Sequence, residues 1–157
     1  MKSIYPCIWF DDQAEPAAKF YESVFKDARI LETTPYLTET PSDKPLGSVL
    51  TVTIELNGLK FELLNGGPFF KVNEAVSFVI ECKDQEEVDY YWEKLSSDPA
   101  SEQCGWLKDK FGISWQVLPK RLYELMHDAD REKATRAMQA MLEMKKIDVA
   151  KLEQAAG

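Results

Sequence analysis

One seven-residue pattern occurs twice in the chain. Gly58-Leu-Lys-Phe-Glu-Leu-Leu and Gly112-Ile-Ser-Trp-Gln-Val-Leu share the order Gly, aliphatic, polar, aromatic, Glu or Gln, aliphatic, Leu. In both, apolar and polar residues alternate after a turn residue, so both read as strands. A second pair of matching sites lies upstream. Asp12 and Asp84 each stand three residues before a Glu, at Glu15 and Glu87, and each precedes an apolar stripe at helical spacing. That is the signature of a capped helix start. The caps are 72 residues apart and the final strands 54, so the second copy is 18 residues shorter between helix and last strand. A chain of 157 residues built this way folds from two related halves, each a strand, a helix and a run of strands.

In the first copy, Ser3 to Phe10 is expected as a strand, and the helix carries Ala17, Phe20, Tyr21, Val24 and Phe25 on one face. Arg29 to Tyr36 reads as a second strand, and Leu37 to Pro45, rich in Thr, Ser and Pro, as a loop. Gly47 to Leu56 alternates most cleanly: Leu50, Val52, Ile54 and Leu56 face one way, Val49, Thr51, Thr53 and Glu55 the other. Asn57-Gly58 is a two-residue hairpin turn, because both residues tolerate positive φ. Leu59 to Leu64 returns as a strand, and Asn65-Gly-Gly-Pro closes the half.

In the second copy, Ala75 to Cys82 is a strand and Val88, Tyr91, Trp92 and Leu95 form a helix face. Cys104 to Pro119 makes two strands about a turn at Lys108 to Lys110. Beyond Pro119, Leu122 to Met126 is a helical turn. Asp128 or Asp130 starts a longer helix with Ala134, Ala137, Met138, Met141 and Leu142 on one face, and Ile147, Val149 and Leu152 mark a last one. The methionine stripe reads as packing on the sheet or on a partner subunit before it reads as a ligand box.

Composition removes several function classes. A net charge of -8 argues against nucleic-acid binding. No apolar run reaches the length of a membrane span, and Met1-Lys2-Ser3-Ile4 has no signal-peptide character. Cys7, Cys82 and Cys104 contain no CxxC and all fall in expected strands, as reduced thiols of a cytoplasmic protein. The strand-to-helix junctions Phe10-Asp11-Asp12 and Cys82-Lys83-Asp84 lack Gly, and no helix follows Asn65-Gly-Gly-Pro. The chain therefore offers no Gly-rich cradle, and no cofactor is expected.

The segments PCIWFDDQAEPAAKFYESVF, LNGGPFFKVNEAVSFVIEC, DQEEVDYYWEKLS, CGWLKDKFGISWQVLP and MQAMLEMKKIDVAKLE resemble the PhnB-like branch of the vicinal-oxygen-chelate superfamily. That superfamily includes glyoxalase I, extradiol dioxygenases and the bleomycin- and fosfomycin-resistance proteins. Many members of the branch are labelled 3-demethylubiquinone-9 3-methyltransferase. The likeness spans about residues 4 to 154 and is carried most specifically by NGGP and KDxFGxSWQ. It implies an α+β fold: two βαβββ repeats forming a curved mixed-sheet half-barrel cup, plus C-terminal helices. The chain is then a single glyoxalase-like domain over residues 1–157, with repeat one at about 3–67, repeat two at about 75–119 and a helical tail at about 120–157. It also implies a small organic ligand and a homodimer.

Metal-dependent members of the superfamily take ligands from the first and last strand of each unit. By position these places fall at Tyr5, Ser77, Glu62 and Gln116. Only Glu62 is a strong ligand, and His127, the only His, lies outside both repeats, so no metal is expected. Strand parity assigns Tyr5, Cys7, Trp9, Thr51, Thr53, Leu64, Ser77, Val79 and Leu118 to the cup face with Glu62 and Gln116, while Pro6, Ile8 and Phe10 pack under the helices. Glu62 and Gln116 are expected to face each other across one cavity. Aromatic walls with one carboxylate, one amide and a few hydroxyls suit a small organic ligand. Glu62 is the catalytic candidate, since burial among Trp and Leu raises a carboxyl pKa toward that of a general base. Small-molecule binding, with the reaction open, is the function expected. The alternative is an enzyme (a lyase, an isomerase or a metal enzyme) using Glu62 as base or ligand. Plainer roles compete at each site: a solvated or ion-paired Glu62, Trp9, Trp106 and Trp115 in the core, and His127 at the surface.

Overall fold

Residues 3–157 are described by the computed structural model, and the chain divides into two units, the first ending at Val72 and the second starting at Asn73. Met1 and Lys2, which begin the stretch without signal-peptide character, lie outside the described residues.

The first unit contains β1 (Cys7–Phe10), α1 (Ala14–Val24), β2 (Ala28–Pro35), β3 (Val49–Leu56) and β4 (Leu59–Asn65). Its sheet runs β1-β4-β3-β2, with β1 parallel to β4 and the other pairs antiparallel. Asn57 and Gly58 take φ of 48° and 84°, so the β3–β4 hairpin turns where the sequence expects it. Ile8, Phe10, Val52, Ile54, Phe61 and Leu63 are buried on one face of the sheet, and α1 covers that face with Ala14, Ala17, Ala18 and Tyr21.

The start of α1 departs from the sequence reading. Asp12 does not cap it; the capping position is Gln13, whose side chain makes no capping bond. The cap comes from the end of β4. Asn65 Oδ1 accepts from the Ala14 amide at 2.8 Å, and Asn65 Nδ2 donates to the Val49 carbonyl at 2.9 Å. A buried side chain from another element thus satisfies an orphan first-turn N–H.

The second unit contains β5 (Ser77–Cys82), α2 (Gln85–Leu95), β6 (Trp106–Lys108), β7 (Ser114–Pro119), α3 (Lys120–Met126), α4 (Arg131–Leu142) and α5 (Val149–Ala156). The sheet runs β5-β7-β6, with β5 parallel to β7. Cys7 pairs with Glu62 and Val79 with Gln116, so the register reproduces both repeat offsets. The second sheet has three strands, and a single 3-10 turn, Pro99–Ser101, occupies the stretch between α2 and β6. The shortening therefore removes an edge strand as well as the long loop. The edge of β6 is closed by local bonds: Lys108 O accepts from Ser97 N, and Lys108 N donates to Ser101 Oγ, both at 3.0 Å.

Asp84 does cap α2, accepting from the Glu87 amide at 3.0 Å, while Glu87 reaches back to the Lys83 amide at 2.9 Å. The turn expected at Lys108 to Lys110 forms one residue later, from Asp109 to Ile113. Asp109 is buried and fully used. It accepts from the amides of Phe111 and Ile113 and from the Trp115 indole, at 2.8, 3.1 and 2.9 Å. Cys104 is not in a strand. It sits in a turn at φ 52°.

The tail packs on its own unit. Leu118 of β7 joins Leu122, Leu125, Ala137, Ile147 and Leu152 in one buried cluster. Asp130, the second of the two candidates, caps α4, and Asp148 caps α5. The segment between these helices is fastened at two places. Cys104 N and Gly105 N donate to the Met144 and Lys145 carbonyls at 2.8 Å. The Gln85 amide group accepts from Val149 N at 2.8 Å and donates to Ile147 O at 3.1 Å.

Candidate ligand-binding site

Each unit presents one sheet face that its first helix does not cover. In the first unit, β4 sets Glu62 between Cys7 of β1 and Thr53 of β3, and Leu64 between Trp9 and Thr51. The predicted residues of β1, β3 and β4 are therefore neighbours on one face. The Cys7 thiol stands 3.8 Å from Glu62 Oε1. Loss of water around the thiol, and then the adjacent carboxylate, hold its pKa above the ordinary value. The nearby cations are engaged elsewhere: Lys60 lies over the Tyr5 ring at 4.1 Å, and Arg29 pairs with Glu55 at 2.8 Å. Tyr5 precedes β1 and serves as the platform for that ammonium.

Trp9 has a structural task. Its indole N–H donates to the Gly67 carbonyl at 2.8 Å, and its ring meets Phe70 edge-on at 4.9 Å. A Cβ on Gly66 would lie 2.3 Å from that ring. Asn65-Gly-Gly thus caps α1 with its first residue, admits an indole with its second and anchors that indole with its third. These glycines are committed to Trp9 and α1 rather than to the Gly-rich turn of a cofactor cradle.

In the second unit, β7 sets Gln116 between Val79 and Trp106. Gln116 Nε2 donates to Ser77 Oγ at 2.9 Å, and Oε1 is left as an acceptor without a partner among the described residues. Beside it opens a cavity of about 660 Å³. Gln116, Leu118 and Trp106 form its floor, and Leu122, Tyr123 and Met126 of α3 one wall. Met141 and Leu142 of α4 form another, and Glu74, Ser101, Gln103 and Cys104 line its rim. The Lys108 ammonium hydrogen-bonds the Glu74 carboxylate and holds its pKa below the ordinary value. Burial, then Glu81, pushes the Tyr123 phenol up.

Of the ligand-contact residues expected from sequence, Gln116 and Leu118 line this cavity. Ser77 is bonded to Gln116 without lining the cavity, and Val79 is half exposed on the same strand pair. Sequence reasoning missed the walls from α3 and α4. Their signal was present as the Met138, Met141 and Leu142 stripe, which reads equally well as packing. His127 is exposed at the C-terminal end of α3, with Nδ1 2.8 Å from the Tyr123 carbonyl.

Of the four positions that the resemblance assigns to a metal, three are engaged within the fold. Ser77 and Gln116 are bonded to each other, and Tyr5 lies against an ammonium. Among the described residues, no three His, Cys, Asp or Glu side chains are grouped to hold an ion.

Comparison with known proteins agrees with this architecture. The family model described as 3-demethylubiquinone-9 3-methyltransferase matches residues 2–118. A solved PhnB protein from Bacillus cereus with the same methyltransferase description is 31% identical. Its match covers 75% of this chain and 99% of its own, with a TM-score of 0.61. A solved Pseudomonas aeruginosa protein, 13% identical, matches over 76% of this chain and 98% of its own, with a TM-score of 0.58, a likeness of fold alone. No curated protein matches.

Proposed function

The chain belongs to the 3-demethylubiquinone-9 3-methyltransferase family, in the PhnB-like branch of the vicinal-oxygen-chelate superfamily, and from that premise we propose that it binds a small organic molecule against the sheet face that carries Gln116. The cavity of about 660 Å³ beside that residue carries the reading. Its size falls in the range of small-molecule sites, and it joins apolar walls to a few convergent polar groups. The family's description names a methyl transfer. The Asn65-Gly66-Gly67 segment is committed to Trp9 and α1, so it does not cradle a methyl donor.

Crystals of protein purified without added ligand test the reading. Density for a co-purified or soaked compound is expected against Gln116, Trp106 and Met141. A compound found only on the Glu62 face would sink it and favour a second reading. In that reading the chain is an enzyme with Glu62 as base, supported by the position of Glu62 between Cys7 and Thr53. Glu62→Gln would then keep ligand affinity while losing turnover.

We also read the protein as a cytoplasmic homodimer. Three free cysteines support the reducing compartment, and among the described residues no helix is long and apolar enough to cross a membrane. Exposed Phe69, Phe70 and Val76 support self-association. Light scattering that returned the mass of one chain at working concentrations would exclude the dimer.

A further inference from the structure

The family match ends at residue 118, yet Leu122, Tyr123, Met126, Met141 and Leu142 of the cavity lie beyond it. The helical tail therefore builds walls that the family domain does not supply. Those walls have a consistent chemistry. Among the described residues, the lining holds no Lys, Arg or His. Its one carboxylate, Glu74, is already paired with Lys108. A ligand anion would meet Glu74 without a free cation, and a ligand cation would compete with an ammonium already in place. Either would lose its water against Leu and Met side chains, and uncompensated burial of charge is far more costly than burial of a neutral polar group. At the floor, Gln116 Nε2 is held by Ser77 Oγ, and Oε1 is an acceptor without a partner among the described residues. An acceptor on an apolar floor selects a donor.

We infer that the tail narrows this cavity to an uncharged, mainly apolar ligand carrying one hydroxyl or N–H donor, which bonds Gln116 while its ring or alicyclic body lies among Trp106, Met126 and Met141. This ligand class rests on the small-molecule reading of the same cavity.

The test uses the full chain with carbon-13 methyl-labelled methionine and three probes of matched size: 2-naphthol, naphthalene and 2-naphthoate, at neutral pH. Titration with 2-naphthol is expected to move the Met126 and Met141 methyl signals. 2-Naphthoate is expected to bind at least about tenfold more weakly, as an unpaired charge requires. In Gln116→Leu the advantage of 2-naphthol over naphthalene, up to about tenfold for one hydrogen bond, is expected to vanish. The remaining methionine signals report that the variant is folded. If 2-naphthoate moves the same methyls at equal or lower concentration, the ligand class is overturned while binding in the cavity stands. If none of the probes moves either methyl, both the ligand class and the small-molecule reading fall.

Discussion

Gly105 takes φ of 84°, and a Cβ there would lie 2.5 Å from Leu118 Cδ2 and 3.1 Å from the Val117 carbonyl. Gly105→Ala meets a conformational penalty and a steric one together. It is expected to cost about 2 kcal/mol or more, read from the urea midpoint. Cys82 makes a second residue-scale prediction. Burial, reinforced by Glu87 and Asp84, pushes its thiol up to about 12. The neutral form is favoured in the folded chain. Its contribution to stability is therefore full below the ordinary thiol range and fades as pH rises toward about 12. Cys82 is expected to resist Ellman's reagent in folded protein at mildly alkaline pH and to react on unfolding, whereas exposed Cys7 reacts in both states. Prompt labelling of Cys82 in the folded state would contradict its burial. At this scale the sequence was legible where strand parity decides. Ile8, Phe10 and Val117 point where alternation puts them. Parity could not foresee that Trp9 would be tied to Gly67 or Trp115 to Asp109, because those bonds depend on where turns close.

The two repeated helices start from the same four-letter signal, yet they are capped differently. Asp84 caps α2 within its own segment, and Asp84→Ala is expected to cost about 1 kcal/mol. Asn65 caps α1 from 51 residues away and also holds β3 through Val49. Asn65→Ala leaves a buried amide and a carbonyl without their partners, so a loss of about 2–3 kcal/mol is expected. Hydrogen exchange locates the damage: the first turn of α1 should open in Asn65→Ala and stay protected in Asp12→Ala. Existence and order of the elements were legible because caps and periodicity are local. The Asn65 cap was not, since nothing near Asp12 shows that a buried amide arrives from β4. The edge strand missing from the second sheet was foreshadowed by the length difference, but a length difference does not say which element goes.

At the scale of the molecule, carboxylates tie the tail to the family domain and fasten it within itself. Lys146 hydrogen-bonds Asp89 of α2 at 2.6 Å and holds its pKa low. Backbone and Lys133 hydrogen bonds do the same for Asp128 at the start of α4. A carboxylate with a depressed folded pKa stabilises the fold above its unfolded value, and that contribution is lost as pH falls through the folded one. The urea midpoint is expected to drop between neutral pH and about pH 4, and to drop less in an Asp89→Asn, Asp128→Asn double variant, whose midpoint already starts lower at neutral pH. An unchanged acid slope would show that these ties carry little weight, as exposed pairs often do. The candidate cavity was only half legible at this scale. Its floor follows from the repeat, through Gln116 and Leu118, while its walls come from helices that have no counterpart in the first half.

The pairing of β1 with β4, and of β5 with β7, also sets a timetable for a chain made from its N-terminus. Cys7 waits for Glu62, 55 residues later, before its strand gains a neighbour, whereas α1 can already lie on the paired β2 and β3. The first unit is complete once Gly67 has emerged and Trp9 can close on it. The second must wait longer than its own sheet requires, because the amides of Cys104 and Gly105 receive their partners only with Met144 and Lys145. During that interval on the ribosome, Leu118, Leu122 and Met126 lack the α4 side chains that later join them around the cavity. This stretch of synthesis is where a nascent-chain chaperone would have the most apolar surface to hold.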